Sequence, residues 1–257
     1  MGLDPSISAF AAASGATDLT ALNNLAKYLR SQSLLSSVRC FPFKSAQNAG
    51  SGSTVYGWGD LTANNCTLVN SPTWGAGGVD FAAASNQYAH ASDFLDEQTI
   101  TVFIRKSGTV GAAITYLASQ WDFAANERAW ALVSGGSTAD ASKLRIQRSS
   151  DGSSTNSESL ESPTGQVTTS DKCYVGQWID GGSSAAWVNK TSQSLTLVSG
   201  SAQTTQFNSA DSVLINATGV VGGVAALSDG TYTTAMFVRG SLTTLQRETI
   251  TDLINAL

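Results

Sequence analysis

The stretch that most limits how this chain can fold is residues 98–106, QTITVFIRK. Ile100, Val102 and Ile104 fall on one face of an extended segment, and Thr101, Phe103 and Arg105 fall on the other. β-branched residues at period two specify a pleated strand. Later segments repeat the pattern at short spacing: 113–119, 128–134, 143–148, 172–179, 185–189, 195–198, 212–215, 219–227 and 235–239. Turn signals separate them, among them Ser134-Gly135-Gly136, Asp151-Gly152, Asp180-Gly181-Gly182 and Asp229-Gly230. Many short strands with regular turns predict an all-β sandwich of two antiparallel sheets, not a parallel α/β sheet.

Both ends depart from this pattern. Residues 1–17 carry Leu3, Ile7 and Phe10 among Ala, Ser and Gly, too few apolar groups to close a core alone. They read as an arm that orders on a partner or on the domain's own surface, with Leu3, Ile7 and Phe10 as candidate docking residues. Thr17 or Asp18 reads as the cap of a helix carrying Leu19, Leu22, Leu25, Ala26 and Leu29. The chain therefore divides into an arm (1–17), a helix and linker (18–49) and a sandwich (50–257). A last helix is predicted from the capping box Thr243/Gln246 and the stripe Ile250, Leu253, Ile254 and Leu257.

Composition removes several functions. The 14 bases are outnumbered by 19 acids and lie scattered, so no basic stripe meets a nucleic acid. No apolar run reaches the length that crosses a bilayer, and the first residues lack the basic and apolar regions of a signal peptide. Cys40, Cys66 and Cys173 form no C-x-x-C and read as small buried apolar residues. Charged residues make up only 13% of the chain, so Ser, Thr, Asn and Gln must build the polar surface.

Several segments resemble the laminin G-like, concanavalin A-like jelly rolls. They are Gly59-Asp60-Leu61-Thr62 through Trp74 to Phe81, the strand at 98–106, and 127–132 with 143–146. The hairpin from Trp178 through Asp180-Gly181-Gly182 to Asn189, and the Met236-Phe237-Val238-Arg239 strand with its closing helix, complete the set. The resemblance covers about residues 50–257 and implies a concanavalin A-like jelly roll flanked by N- and C-terminal helices. With the N-terminal helix and the KSAQNAG segment at 44–50, the whole is similar to domains of bacteriophage structural proteins. That implies a virion location, other virion proteins as partners and assembly as a homo-oligomer.

Catalysis has little to stand on. Glucanases of this fold need carboxylates two residues apart on one strand, and none of the 19 acids is so spaced. Glu158 and Glu161 are three apart and would face oppositely on a strand. His90, the only histidine, reads as an ordinary strand residue. Relatives often hold Ca2+ at the rim, and Asp80, Asp93, Asp122 and Asp229 are the candidates by type, but no compact acidic run supplies six oxygens. No metal or other cofactor is therefore expected. Trp121 and Asp122, followed by Asn126, place an aromatic face beside amide and carboxylate acceptors in a loop, the set that sugar binding needs. The sequence thus supports a non-enzymatic phage structural or adhesion protein (decoration, cement or fibre-associated). The alternative is a carbohydrate-binding module that recognises host glycans.

Overall fold

The computed structural model describes residues 2–61, 65–95, 99–108, 114–123, 126–136, 140–220 and 223–257. Thr62, Gln98, Ala113 and positions 124–125 of the 121–126 loop fall outside these.

Two antiparallel sheets form the sandwich, with eight and eleven strands among the described residues. Ile100–Ser107 lies at the centre of the first sheet. It pairs with Lys172–Trp178 on one side, Ile104 opposite Tyr174, and with Gly230–Arg239 on the other, Phe103 opposite Met236. The second sheet runs from the edge strand Thr196–Gly200 through Ser157–Glu161, Leu144–Gly152, Glu127–Ser134 and Thr115–Asp122 to Val213–Ile215 and beyond. Ile100, Val102 and Ile104 point between the sheets, where they meet Trp130, Leu132, Trp178 and Phe237 in one buried cluster.

The other face of the central strand is buried too. Phe103, Cys173, Val175, Met236 and Val238 pack under three helices. These are α1 (Pro5–Ser14), α2 (Thr20–Ser31) and α3 (Thr244–Asn255). The molecule therefore has three layers: helices, first sheet, second sheet. Phe103 is explained by the helical layer, since a large aromatic on a solvent face has nothing to cover it.

The first residues form a docked helix. Asp4 caps α1 by accepting from the Ser6 amide, and Gly15 ends it in the left-handed conformation (φ 73°). The Asp4 amide donates to Asn23 Oδ1 at 2.7 Å, and Arg30 grips the Asp4 carboxylate at 2.6 and 2.8 Å. The guanidinium holds that carboxyl well below the usual range. Ile7 and Phe10 are buried with Leu22, Leu25 and Leu29. Of the two settings expected for this segment, the domain's own surface is the one found, and Ile7 and Phe10 are not open to a partner. Leu3 alone stays accessible, 46% exposed.

Two local expectations change. The α2 cap is Leu19 without a side-chain bond, because the Thr17 and Asp18 amides are both drawn to the Ala46 carbonyl. Residues 219–227 form a folded-back pair, Thr218–Val220 and Gly223–Ala225, not one strand. The strand Val38–Pro42 pairs with Gly230–Arg239, Cys40 opposite Met236, so the first sheet draws on residues ahead of position 50. The three cysteines are buried and unpaired, and burial pushes the Cys173 thiol up to about 12, which leaves it unreactive.

The closing helix carries the Thr243/Gln246 capping box and buries Ile250 and Ile254, while Leu253 is half-buried. Leu253→Ala should therefore cost about 1–2 kcal/mol, below the 2–5 kcal/mol range of fully buried leucines. A urea-unfolding midpoint unchanged by the substitution would show that α3 does not support the sheet.

Candidate functional site

The pocket of interest forms where two chain segments distant in sequence meet at the end of the second sheet. Thr115–Asp122 and Glu127–Ser134 pair with two slips in register, one between Tyr116 and Ala118 and one between Gln120 and Trp121. Such an irregularity re-aims side chains. Gln120 turns inward: its Oε1 accepts from Trp130 Nε1 at 3.1 Å, and its Nε2 donates to the Ser209 and Asp211 carbonyls at 2.8 and 3.0 Å and to Asp93 Oδ1 at 2.9 Å. That one buried amide fixes the segment carrying Asp211 beneath the strand. Trp121 turns to the outer face, where it joins Tyr116, Ala131 and Val133 in a small separate cluster.

Thr218–Val220 closes the other side. Thr218 Oγ1 donates to the Trp121 carbonyl at 2.8 Å, and the Phe123 amide donates to the Gly219 carbonyl at 3.1 Å. A Cβ at position 219 would stand 2.9 Å from the Asp122 carboxyl carbon, so any larger residue there would have to displace that side chain. The result is a cavity of about 170 Å³ whose lining includes Trp121, Asp122, Asp211, Ser212, Leu214 and Gly219.

Two polar atoms at this site are buried without a hydrogen-bond partner among the described residues: the Trp121 indole N–H and Asp211 Oδ2. Unmet buried groups are uncommon, because each costs about 1–3 kcal/mol. One is a donor and the other an acceptor. Burial pushes the Asp211 carboxyl above its ordinary value, and the charges of Asp122, Glu127 and Asp93 add to the shift.

The structure brings Trp121 and Asp122 together and leaves Asn126 apart. Asn126 Oδ1 accepts from Arg128 Nη1 at 3.1 Å, and Arg128 Nη2 donates to the Phe123 carbonyl at 2.8 Å, so Asn126 shapes the loop and does not line the cavity. Trp121 is only 4% exposed, with the Phe123 ring edge-on at 6.3 Å. Its ring face is therefore largely covered. Sequence reasoning missed Asp211, Ser212 and the accessible ring of Phe123, which is 45% exposed beneath the Arg128 guanidinium. The polar run NSADS at 208–212 was the one signal available for the first two.

The other candidates have structural tasks. Glu158 and Glu161 do face oppositely: Glu158 turns to Arg148, and Glu161 to Lys143 and Arg145. Asp229 accepts from the Ala83 amide, Asp93 from the Leu95 amide, and Asp80 from Thr231 Oγ1. His90 sits in the strand Tyr88–Ala91, opposite Thr67 and Leu214. No group of three or more His, Cys, Asp or Glu gathers as a metal site among the described residues.

No protein-family model and no curated protein matches the sequence. Solved structures do match. The receptor-binding domain of botulinum neurotoxin mosaic serotype C/D aligns over 85% of this chain and 51% of its own, with a TM-score of 0.56 and 8% identity. A botulinum neurotoxin type C structure, described by its interaction with two ganglioside molecules, aligns over 87% of this chain and 53% of its own (TM-score 0.57, 6% identity). The fold is a lectin-like jelly-roll sandwich. The chain spans about half the length of these botulinum domains. A carbohydrate-binding module of a Ruminococcus gnavus sialidase, bound to α2,3-sialyllactose, covers 60% of this chain and 83% of its own, with a TM-score of 0.47 and 16% identity.

Proposed function

We propose that this protein is a non-catalytic glycan-binding module, with the cavity beside Trp121, Asp122 and Asp211 as its binding site. The observation that carries the reading is the mismatched pair of buried atoms there. A donor without an acceptor and an acceptor without a donor are what a sugar hydroxyl satisfies, because it accepts and donates at once. The cavity has room for a ring of monosaccharide size. The botulinum neurotoxin type C structure, described by an interaction with two ganglioside molecules, is matched over only 53% of its length, so the reading for this chain rests on its own residues.

Binding at one such cavity should be weak, about millimolar to tens of micromolar, and strengthened when copies cluster. Trp121→Phe keeps an aromatic ring in the outer cluster and removes the N–H together with the pyrrole part of the indole. It should lower binding on a glycan array about tenfold while the melting temperature holds within a few degrees. Array binding equal to the parent protein's would refute the site.

A second reading, adhesion to other proteins of a virus particle, draws on the edge strand Thr196–Gly200. All five of its residues are exposed, Leu197 and Val198 at 43% and 37%. Edge strands invite pairing with another chain. On this reading the protein decorates or cements a shell, and added protein raises the temperature at which shells rupture. Blank glycan arrays together with that rise would favour it over the first.

A further inference from the structure

The charge around the cavity narrows the class of ligand beyond the glycan-binding reading, on which this inference rests. Among the described residues lining it, two are carboxylates and none is Lys or Arg. Asp93 and Glu127 stand close enough to add to the same field at Asp211. Arg128, the base nearest Trp121 in sequence, is occupied by Asn126, Gly152 and Phe123. An anionic ligand therefore meets carboxylates and, among the described lining residues, no Lys or Arg.

The hydrogen-bonding pattern points the same way. A neutral hydroxyl accepts and donates at once, the two functions that Trp121 Nε1 and Asp211 Oδ2 leave unmet among the described residues. An ionised carboxylate or sulfate can accept from the indole but has nothing to donate to Asp211. It leaves one buried acceptor unmet and sets like charges together in a partly enclosed site. We propose that this pocket selects uncharged sugar rings and rejects acidic ones, sialic and uronic acids included. Selectivity arises by exclusion: two carboxylates make the wrong partner costly, while the hydroxyl pattern rewards the right one.

The test uses the full chain on an array of matched pairs, each neutral oligosaccharide beside its sialylated or uronic-acid counterpart. Neutral members should bind at least about tenfold tighter than their acidic partners. Asp122→Asn, which keeps the shape and removes one charge, should shrink that gap several-fold. Acidic members bound as well as neutral ones would overturn the selectivity and leave the glycan site standing. So would a preference unchanged in both Asp122→Asn and Asp211→Asn, since the carboxylates would then not be its source. If no member of any pair binds to protein with an intact melting transition, the glycan reading itself fails and the selectivity with it.

Discussion

Arg148→Ala should destabilise the protein by about 3–5 kcal/mol, the cost of stranding a buried charge. Arg148 and Glu158 are both buried and lie 2.7 Å apart. The guanidinium also donates to the Ile179 and Gly182 carbonyls at 3.1 and 2.9 Å. The carboxylate accepts from Ser184 Oγ at 2.7 Å and from the Gln203 amide at 2.9 Å. One ion pair in the second sheet thus fastens the turn that follows Trp178 in the first sheet, and the segment at 203 as well. Removing the arginine leaves Glu158 charged, buried and short of its main partner. Replacing both residues by methionine should recover much of the loss, because no lone charge remains. Chemical unfolding of the two variants separates the cases. A loss below about 1 kcal/mol for Arg148→Ala would mean that water reaches Glu158 and that the clamp is not buried in solution.

The second large effect concerns pH. Lys106 is buried; its ammonium donates to Ser228 Oγ at 3.1 Å and stands 5.2 Å over the Tyr232 ring. Burial pushes its pKa down to about 8, from 10.5, and the charge of Asp229 only partly opposes this. Between those values the unfolded chain holds a proton that the folded chain has released, so stability rises with pH across the window. Below pH 8 both states are protonated and the full penalty, about 3 kcal/mol, is present. Lys106→Met should raise the unfolding free energy at pH 7 by up to that amount, less the lost bond to Ser228. Its gain over the parent should shrink steadily from pH 8 to pH 10. A constant difference between the two proteins across that range would show that Lys106 keeps an ordinary pKa.

The sandwich and its central strand were legible because period two and β-branching are local signals that burial later enforces. The closing helix was legible for the same kind of reason: the Thr243/Gln246 box makes both of its reciprocal bonds in the structure. The helical layer was harder to read. Thr101 and Arg105, on the same face as Phe103, look like solvent residues, yet Thr101 donates to the Gly240 carbonyl ahead of α3 and Arg105 to the Ile254 carbonyl within α3. Their bonds cross more than a hundred positions, and nothing near them in sequence announces the partner.

The candidate site was half legible. Trp121 and Asp122 stood out by residue type, but the face that Trp121 shows depends on the slip between Tyr116 and Ala118, where Leu117 is the extra residue. A shift of one residue sends every following side chain to the opposite face, and adjacent residues do not encode it. Asp211 comes 89 positions after Asp122 and reaches it only because Gln120 holds the 209–211 backbone. Asn126 reads by type as a sugar acceptor, and its left-handed backbone (φ 54°) explains its presence in the turn instead.

The claim that most needs testing is that the Trp121 indole N–H is a ligand donor. Its resonance can be followed directly by heteronuclear NMR and assigned by its loss in Trp121→Phe, among the six indoles of the chain. Titration with a neutral oligosaccharide should shift that resonance saturably and downfield, as an N–H without a partner among the described residues gains an acceptor, while the buried Trp130 and Trp178 indoles, bonded to Gln120 and to the Gln147 carbonyl, stay still. Saturable sugar binding that leaves the Trp121 resonance in place would contradict the account.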